Sequence, residues 1–368
     1  MMDRTSSYRD LGNYDAMLDL SHSHCAKKDK IVEYVNNHRF KCHGNDITLA
    51  NQCYDLSSSS PDVSMRKKIK EDISKTLKES NCLEYYFRNN PPQVLSGKDY
   101  TFITDSQGNI VSAGDGSYVR ALLAKDNKTN SLVVVKLVRT KNSHSLDVLM
   151  EEYALTRLAH QVLKDGCYTP HVKGLLLLKE NELLGKHFFP YVLVQEYAGL
   201  VSGFPVSLSV DEALQESKKG NSLFSEVEWE EICLKVVHGA DQFRDNNITH
   251  IDIHPKNVLI QLGQEELKIV FIDFGISVGN WNYSPSPVFS TKPAKVFPQT
   301  APELYELPKP LPTTDLYSCA YLIQNVASAT GNSKLEQEMQ KYRSKAPEER
   351  TVHLYSIVEE HIDYRRGH

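Results

Sequence analysis

The sequence has few cysteines, no long apolar run and only a small net charge. Its 368 residues hold seven cysteines, an odd number with no Cys-x-x-Cys pair, which excludes a disulfide-stapled mini-protein and indicates reduced thiols. The longest apolar run, at 174–178, is far shorter than the roughly 18 residues that span a bilayer, and the N-terminus lacks the apolar core of a signal peptide. The net charge of −5 requires no nucleic-acid or acidic partner. We therefore expect a soluble, intracellular protein, cytoplasmic or nuclear, that binds neither nucleic acid nor membrane.

The remaining composition is ordinary for a globular protein, except in the first part of the chain. The length predicts two or three domains at roughly 100–200 residues each, and 40% hydrophobic residues can supply their cores. Residues 1–98 are more polar than the rest and contain the serine run 57–60. We interpret them as an extension, partly helical or disordered, and as a candidate surface for a partner protein.

One amphipathic helix is predicted inside this extension, over about 62–89. Ile69, Ile73 and Leu77 recur there at helical spacing. The basic cluster at 66–70 is typical of a solvated helix face, and a nuclear-import signal is the alternative interpretation. No zinc site is predicted, because the histidines and cysteines of the extension lack the Cys-x(2–4)-Cys spacing of structural zinc ligands.

From residue 100 onward the pattern changes to short β-strands. The segments with strand character are Tyr100–Thr104, Ile110–Ala113, Tyr118–Ala124 and Leu132–Val138. The polar stretch 126–130 is typical of a turn, so the two strands that flank it should pair as an antiparallel hairpin. A small antiparallel sheet is therefore expected before the helical part of the chain.

Two helices are predicted after this sheet. The first covers Ser145–Gln161, with an apolar stripe of Val148, Leu155, Leu158 and Val162. Glu151 falls on that stripe, so it should either lie at the solvent-exposed margin of the stripe or have a specific cationic partner, whereas Glu152 should face water. The second helix begins at a capping box of Ser225 and Glu228 and carries the stripe Trp229, Ile232, Val236, Ala240 and Phe243. A small sheet, one helix and a mainly helical half predict a two-lobed α+β protein.

Two features of the predicted sheet indicate phosphate chemistry. Gly114 and Gly116 lie between two strands, where backbone N–H groups can face phosphate oxygens, although a plain hairpin turn would leave the same pattern. Lys136 lies inside an apolar strand, and a buried ammonium group must be paired. Glu151 is the predicted partner, and the pair would direct a cation at phosphates beneath the glycines.

Later segments of the chain resemble the protein kinase family. His250–Asn257 resembles the catalytic loop H-R-D-L-x-x-x-N, and Asp273–Gly275 is the metal-binding D-F-G. Ala301–Glu303 matches the A-P-E motif that ends the activation segment. Asp315 resembles the aspartate that opens the central helix of the C-lobe, and Arg350 resembles the arginine that pairs with the A-P-E glutamate.

The resemblance covers about residues 100–352, with the motifs in the family's order. It implies a two-lobed kinase fold: a small antiparallel N-lobe sheet with one helix, and a mainly helical C-lobe. The domain boundaries expected from it are an extension at 1–98, an N-lobe at 99–198 and a C-lobe at 199–368. Only 35 residues separate Asp315 from Arg350, so the C-terminal part of the C-lobe should be trimmed.

The resemblance also implies a role for individual residues in ATP- and Mg²⁺-dependent phosphoryl transfer to protein hydroxyls. Gly114 and Gly116 would cover the ATP phosphates, and Lys136, held by Glu151, would contact the α and β phosphates. Asp252 would accept the proton of the substrate hydroxyl.

The same resemblance assigns the metal ligands, the hinge and one further catalytic residue. Asn257 and Asp273 would hold Mg²⁺. The backbone at Glu196 and Ala198 would read adenine, with Gln195 behind it as gatekeeper. His254 stands where the serine/threonine branch has a lysine that reaches the transferring phosphate.

The sequence departs from the family pattern at several positions. Val119 replaces the third glycine of the loop, and Val296 replaces a threonine that normally touches the catalytic aspartate. Ile251 replaces the arginine that anchors a phosphate on the activation segment, so phosphorylation of that segment should not be needed for activity. The leading interpretation is a serine/threonine protein kinase. A pseudokinase that acts as a nucleotide-binding scaffold and a small-molecule kinase are the alternatives.

Overall fold

The chain runs first through a sheet and then through a mainly helical part, as its sequence pattern predicts. The computed structural model describes residues 54–55, 63–79, 86–87, 91–105, 107–115, 119–138, 146–177, 190–198, 200–201, 204–205, 207–262, 267–279, 297–307 and 310–366. The strands in these ranges are β1 Tyr54–Asp55, β2 Tyr100–Phe102, β3 Ser112–Asp115, β4 Val119–Asp126, β5 Leu132–Val138, β6 Cys167–Tyr168, β7 Val172–Leu177, β8 Tyr191–Glu196, β9 Leu200–Val201, β10 Phe204–Pro205, β11 Ser207–Ser209, β12 Ile248–Thr249, β13 Val258–Leu262, β14 Leu267–Phe271 and β15 Val278–Gly279. The helices are α1 Val63–Glu79, α2 Leu146–Val162, α3 Val210–Lys218, α4 Glu226–Asp245, α5 Thr314–Thr330, α6 Ser333–Ser344 and α7 Leu354–Arg366. Short 3-10 helices cover Gly97–Asp99, Pro302–Tyr305 and Pro347–Glu349.

The N-lobe is built on one antiparallel sheet. Its order is β1-β2-β4-β5-β8-β7, with β3 also paired to β4. The predicted hairpin of β4 and β5 is confirmed, and Ala121 lies opposite Lys136 in its register. Val133, Val135 and Leu137 of β5 lie in one core cluster, and Val138 lies in a second cluster that includes side chains of α2. The sheet therefore holds β5 rigidly against the single N-lobe helix that follows it.

The C-lobe is centred on α4, and the sequence predicts where this helix begins. Ser225 and Glu228 form the predicted capping box, and every member of the predicted stripe from Trp229 to Phe243 is buried. Against α4 packs a four-stranded sheet of order β11-β13-β14-β6. The contact is close at Gly239, where a Cβ atom would lie 2.4 Å from the ring of Phe271. The β13–β14 hairpin is thus fixed directly on the central helix.

The predicted trimming of the C-lobe is confirmed in the described residues, where α6 is the one α-helix between α5 and Arg350. Arg350 donates two hydrogen bonds of 2.8 Å to the two carboxylate oxygens of Glu303, and both side chains are 1% exposed. A buried pair of this geometry is costly to break because one charge would remain uncompensated. It fixes the Pro302–Tyr305 turn on the C-terminal end of the chain.

The described part of the N-terminal extension packs on the N-lobe. β1 pairs with β2 and forms the edge of the sheet, and α1 contacts α2. Lys67, Lys68 and Lys70 are exposed, as expected for a solvated helix face. The serine run and the histidines and cysteines of the extension lie outside the described residues.

In the described ranges Cys167, Cys233 and Cys319 are buried free thiols, and no helix there is long and apolar enough to cross a bilayer.

Candidate active site

The loop residues that resemble catalytic motifs are brought together at one end of the β13–β14 hairpin. Asn257 directly precedes β13, and Asp273 follows the end of β14. In the hairpin register Val258 lies opposite Phe271, and the Ile272 N–H donates a hydrogen bond of 3.0 Å to the Asn257 carbonyl. Residues that are 16 apart in sequence therefore emerge side by side.

Lys136 reaches this cluster from the N-lobe sheet. Its Nζ donates to the Oε1 atom of Glu152 on α2 and, at 3.0 Å, to the Oδ1 atom of Asp273. Burial alone would lower the pKa of Lys136, but the carboxylates of Asp273 and Glu152 raise it above its ordinary value. The same ammonium group lowers the pKa of Asp273. Lys136 and Asp273 are therefore both charged at neutral pH.

The predicted pairing of Lys136 with Glu151 is wrong, because Glu152 occupies that place. Glu152 is buried at 6% exposure, whereas Glu151 is only partly buried. The predicted stripe assumed that α2 has one apolar face. Instead, α2 is buried around most of its circumference, through Leu146, Leu149, Met150, Tyr153, Ala154, Leu155 and Ala159. With so many apolar positions, periodicity alone does not fix the rotation of the helix.

This arrangement predicts opposite outcomes for two neighbouring glutamates. Glu152→Gln removes the carboxylate that holds Lys136 and should lower kcat/KM for ATP by about tenfold or more, since hydrogen bonds to charged groups are worth roughly 1.5–3 kcal/mol. Glu151→Gln is the matched control on the same helix and should keep near-normal activity. Steady-state kinetics with varied ATP measures both, and equal losses would contradict the assignment.

Asp252 lies in a loop that is held by its own side chains. The Nδ2 group of Asn257 donates to the Oδ2 atom of Asp252 at 3.0 Å and to its carbonyl at 3.2 Å. The Nε2 atom of His254 is 3.6 Å from the same Oδ2 atom. The Asp252 side chain is 25% exposed, so an incoming hydroxyl group can reach it.

The backbone just before Asp252 is strained, and the carboxylate of Asp315 holds it in place. Ile251 has a φ of 71°, a region that β-branched residues rarely adopt. Asp315, at the start of α5, accepts hydrogen bonds from the N–H groups of His250 at 2.7 Å and Ile251 at 2.8 Å. Asp315 was recognised in the sequence as a motif residue, but its role as a backbone anchor was not.

His250 is a neutral link between the two halves of the site. Burial lowers its pKa to about 4. Its Nε2–H therefore donates to the Ile272 carbonyl at 3.2 Å, and its Nδ1 atom accepts from the Asp252 N–H at 3.3 Å. One imidazole thus connects the segment before Asp273 to the backbone of Asp252.

Asp315 gives this anchor a definite dependence on pH. Burial raises its pKa from 3.8 to about 6, against the lowering effect of the two N–H donors. Between these values the folded state binds a proton that the unfolded state has released, so the free energy of unfolding falls as the pH rises.

Asp315→Asn should remove this titration. Between about pH 4 and pH 6, the stability of the wild type should fall relative to the variant by about 2 kcal/mol, as linkage with this pKa difference implies. Urea unfolding over that range measures the change, with the exposed Asp165→Asn as the matched control. Parallel curves for wild type and Asp315→Asn would contradict the prediction.

The predicted hinge residues lie at the end of β8 and just after it, and hydrogen bonds from other elements hold them. The Oε2 atom of Glu196 accepts hydrogen bonds from the Tyr168 hydroxyl at 2.6 Å and from the His171 N–H at 3.2 Å. The Nε2 group of Gln261 donates to the Ala198 carbonyl at 3.0 Å. The side chain of Gln195 is buried at the end of the strand. Sequence reasoning missed Gln261, because a side-chain bond to a distant backbone group leaves no local pattern.

The glycine loop is described only in part. Gly114 lies on β3, and a Cβ atom there would meet nothing within 4 Å, so the backbone is open to a ligand. Val119 begins β4. Gly116 and Val296 lie outside the described residues.

The oxygen donors of Asn257 and Asp273 fit a magnesium ion. Amide and carboxylate oxygens are ligands that Mg²⁺ prefers, and it commonly takes one or two protein ligands together with substrate phosphates and water. Within the described part of the chain no group of three or more histidine, cysteine or acidic residues could hold a metal by itself. The two residues therefore suit an ion that is also held by a phosphate-bearing substrate.

Comparison with known proteins agrees with this geometry. Residues 109–365 match the protein kinase domain. The chain belongs to the protein kinase family. The kinase match includes all of the motif residues from Gly114 to Arg350, and the two-lobed α+β fold is confirmed.

Individual relatives are distant. Calcium-dependent protein kinase 4 of Plasmodium falciparum is 21% identical over 257 residues, which is 69% of this chain and 41% of that protein. Serine/threonine-protein kinase TOS3 of Saccharomyces cerevisiae is 27% identical over 172 residues, which is 46% of this chain and 29% of that protein. The chain thus spans less than half the length of these curated relatives.

Solved kinase domains also match at low identity. The PknI kinase domain of Mycobacterium tuberculosis is 15% identical with a TM-score of 0.46, over 71% of this chain and 96% of that one. The BubR1 kinase domain is 18% identical with a TM-score of 0.46, over 72% and 75%.

Proposed function

We propose that this kinase domain transfers the γ-phosphate of ATP to serine or threonine hydroxyls of proteins, with Mg²⁺ as cofactor. The observation that carries the proposal is the placement of Lys136 between Glu152 and Asp273. One buried cation joins the sheet, α2 and the end of β14, where phosphates would meet the metal ligands. Phosphoryl transfer depends mainly on such positioning and charge neutralisation.

Each group of the site has a role in this proposal. Lys136 would contact the α and β phosphates, beneath the backbone at Gly114. Asp252 would accept the proton of the attacking hydroxyl, in the orientation set by Asn257. His254, beside Asp252, would contact the transferring phosphate.

Nucleotide recognition and metal binding complete the assignment. The backbone at Glu196 and Ala198 would bind adenine. Asn257 and Asp273 would hold Mg²⁺, which when bound supplies neutralising charge to the phosphate oxygens.

A pseudokinase scaffold is the second candidate, favoured by the residues that depart from the family pattern. His254 and Val119 replace groups that normally face the phosphates. A small-molecule kinase is less well supported, because such enzymes are not expected to carry Asp315 together with the A-P-E segment and its buried Glu303–Arg350 pair.

Loss of Asp252 separates the first two candidates. The full chain should incorporate labelled phosphate from ATP·Mg²⁺ into casein or histone, on serine and threonine. Asp252→Asn should lower the rate by roughly 100-fold or more, because general-base catalysis contributes 10²–10⁴-fold. Asp165→Asn, an exposed aspartate distant in sequence, should have no effect. Nucleotide binding without transfer by the wild type would favour the pseudokinase instead.

The activation segment is anchored by apolar contacts where many relatives use an arginine. Ile251 is 2% exposed and belongs to a cluster with Val278, Ala301, Leu304 and Tyr317. Val278 lies near the start of the segment that follows Asp273, Ala301 and Leu304 lie at its other end, and Tyr317 lies on α5. Apolar packing needs no phosphate, which supports an enzyme that is not controlled by phosphorylation of this segment.

Phosphatase-treated protein should therefore keep its activity. We expect the rate of casein phosphorylation to change less than twofold after complete dephosphorylation, checked by intact mass, because the cluster holds the segment without a phosphate–arginine contact. Protein incubated with heat-inactivated phosphatase is the control. A drop of tenfold or more would mean that another cation anchors a phosphate, with Lys292 and Lys295 as the first residues to test.

A further inference from the structure

We infer that the N-terminal extension is a positioning element of the kinase: α1 and Phe87 hold α2 in the rotation that presents Glu152 to Lys136. The inference rests on the proposed function for its catalytic readout only. The family match begins at residue 109, so these contacts come from outside the matched kinase domain.

The first contact is an apolar one between the extension and α2. Ile73 of α1 is 6% exposed and Phe87 is 2% exposed, values typical of core residues. Both belong to a cluster with Leu149, Met150 and Tyr153 of α2, and the rings of Phe87 and Tyr153 are 5.8 Å apart. The extension therefore supplies part of the core that surrounds α2.

The second contact is polar and joins α1 to the sheet. The hydroxyl group of Tyr191, at the start of β8, donates a hydrogen bond of 2.5 Å to the Oδ2 atom of Asp72. Asp72 and Ile73 are adjacent on α1. The side chain of Asp72 contacts the sheet through Tyr191, and the side chain of Ile73 packs in the core cluster with α2. α1 thus acts as a brace between two elements that both bear on the nucleotide site.

Rotation of α2 is the property that such a brace would control. Met150 lies two residues before Glu152 and Tyr153 lies one residue after it. Each residue of a helix is rotated by about 100° about the helix axis relative to the one before. A modest rotation or tilt of α2 would carry the Glu152 carboxylate away from Lys136. Because α2 has apolar residues around most of its circumference, its own pattern does not fix this rotation, and the contacts from α1 supply the missing constraint.

Variants of Ile73 in the full chain test the inference. Ile73→Ala should lower kcat/KM for ATP by about tenfold, and Ile73→Val should restore most of it. Ser74→Ala, on the exposed side of α1, is the matched control and should behave as wild type. In a Glu152→Gln background Ile73→Ala should have little further effect, because both changes remove the same interaction. Additive losses would overturn the inference.

Amide hydrogen exchange gives a readout that does not depend on catalysis. Ile73→Ala should increase exchange in the peptides of α2 while those of α4 stay protected. If the wild type proves inactive, the proposed function fails, and exchange in α2 still decides this inference. Unchanged protection of α2 would overturn it. Tyr191→Phe, which removes the hydrogen bond to Asp72 without a large cavity, should give the same pattern more weakly if Ile73→Ala unfolds the protein.

Discussion

The buried ammonium group of Lys136 is the constraint on which the rest of the site depends. A charge removed from water costs several kcal/mol unless partners replace the lost solvation, so the structure must bring carboxylates to it. One carboxylate comes from α2 and the other from the end of β14. The relative position of the sheet, the helix and the hairpin is therefore tied to a single group. Any movement that separates them leaves a buried charge unpaired.

Backbone strain marks the other half of the site. Ile251 and Asp273 both have φ near 70°. Ile251 directly precedes Asp252, and Asp273 is itself one of the acidic residues of the proposed site. Strain of this kind persists only where neighbouring groups hold the backbone. Asp315 holds the first through two N–H groups, and Lys136 holds the side chain of the second. Neutral His250 joins the two segments, so the loop at 250–257 and the segment at 272–275 form one connected unit.

The sequence predicts those structural features that are set by residues close together in the chain. The β-branched run Leu132–Val138 became β5 with the predicted bounds, and the capping box of Ser225 began α4 as expected. Those patterns are set by backbone propensity and by contacts within a few residues. The rotation of α2 has no such signal, since apolar residues surround it. The choice between Glu151 and Glu152 therefore needed the tertiary structure. The same holds for Gln261, whose partner at the hinge is 63 residues away.

The contacts that hold Ile251 in the C-lobe differ from those that hold α2 in the N-lobe, and this difference bears on control. In the C-lobe, Ile251 packs among apolar neighbours, and apolar contacts are little affected by salt or by phosphatases. In the N-lobe, α1 is an element outside the matched domain that contacts α2 through the core cluster at Ile73 and contacts β8 through the hydrogen bond from Tyr191 to Asp72. An event that displaced α1 would remove these contacts and leave the C-lobe cluster and the buried Glu303–Arg350 pair in place. On the proposals made here, whatever regulates this kinase would therefore act through the extension on α2 and Glu152, and not through the activation segment.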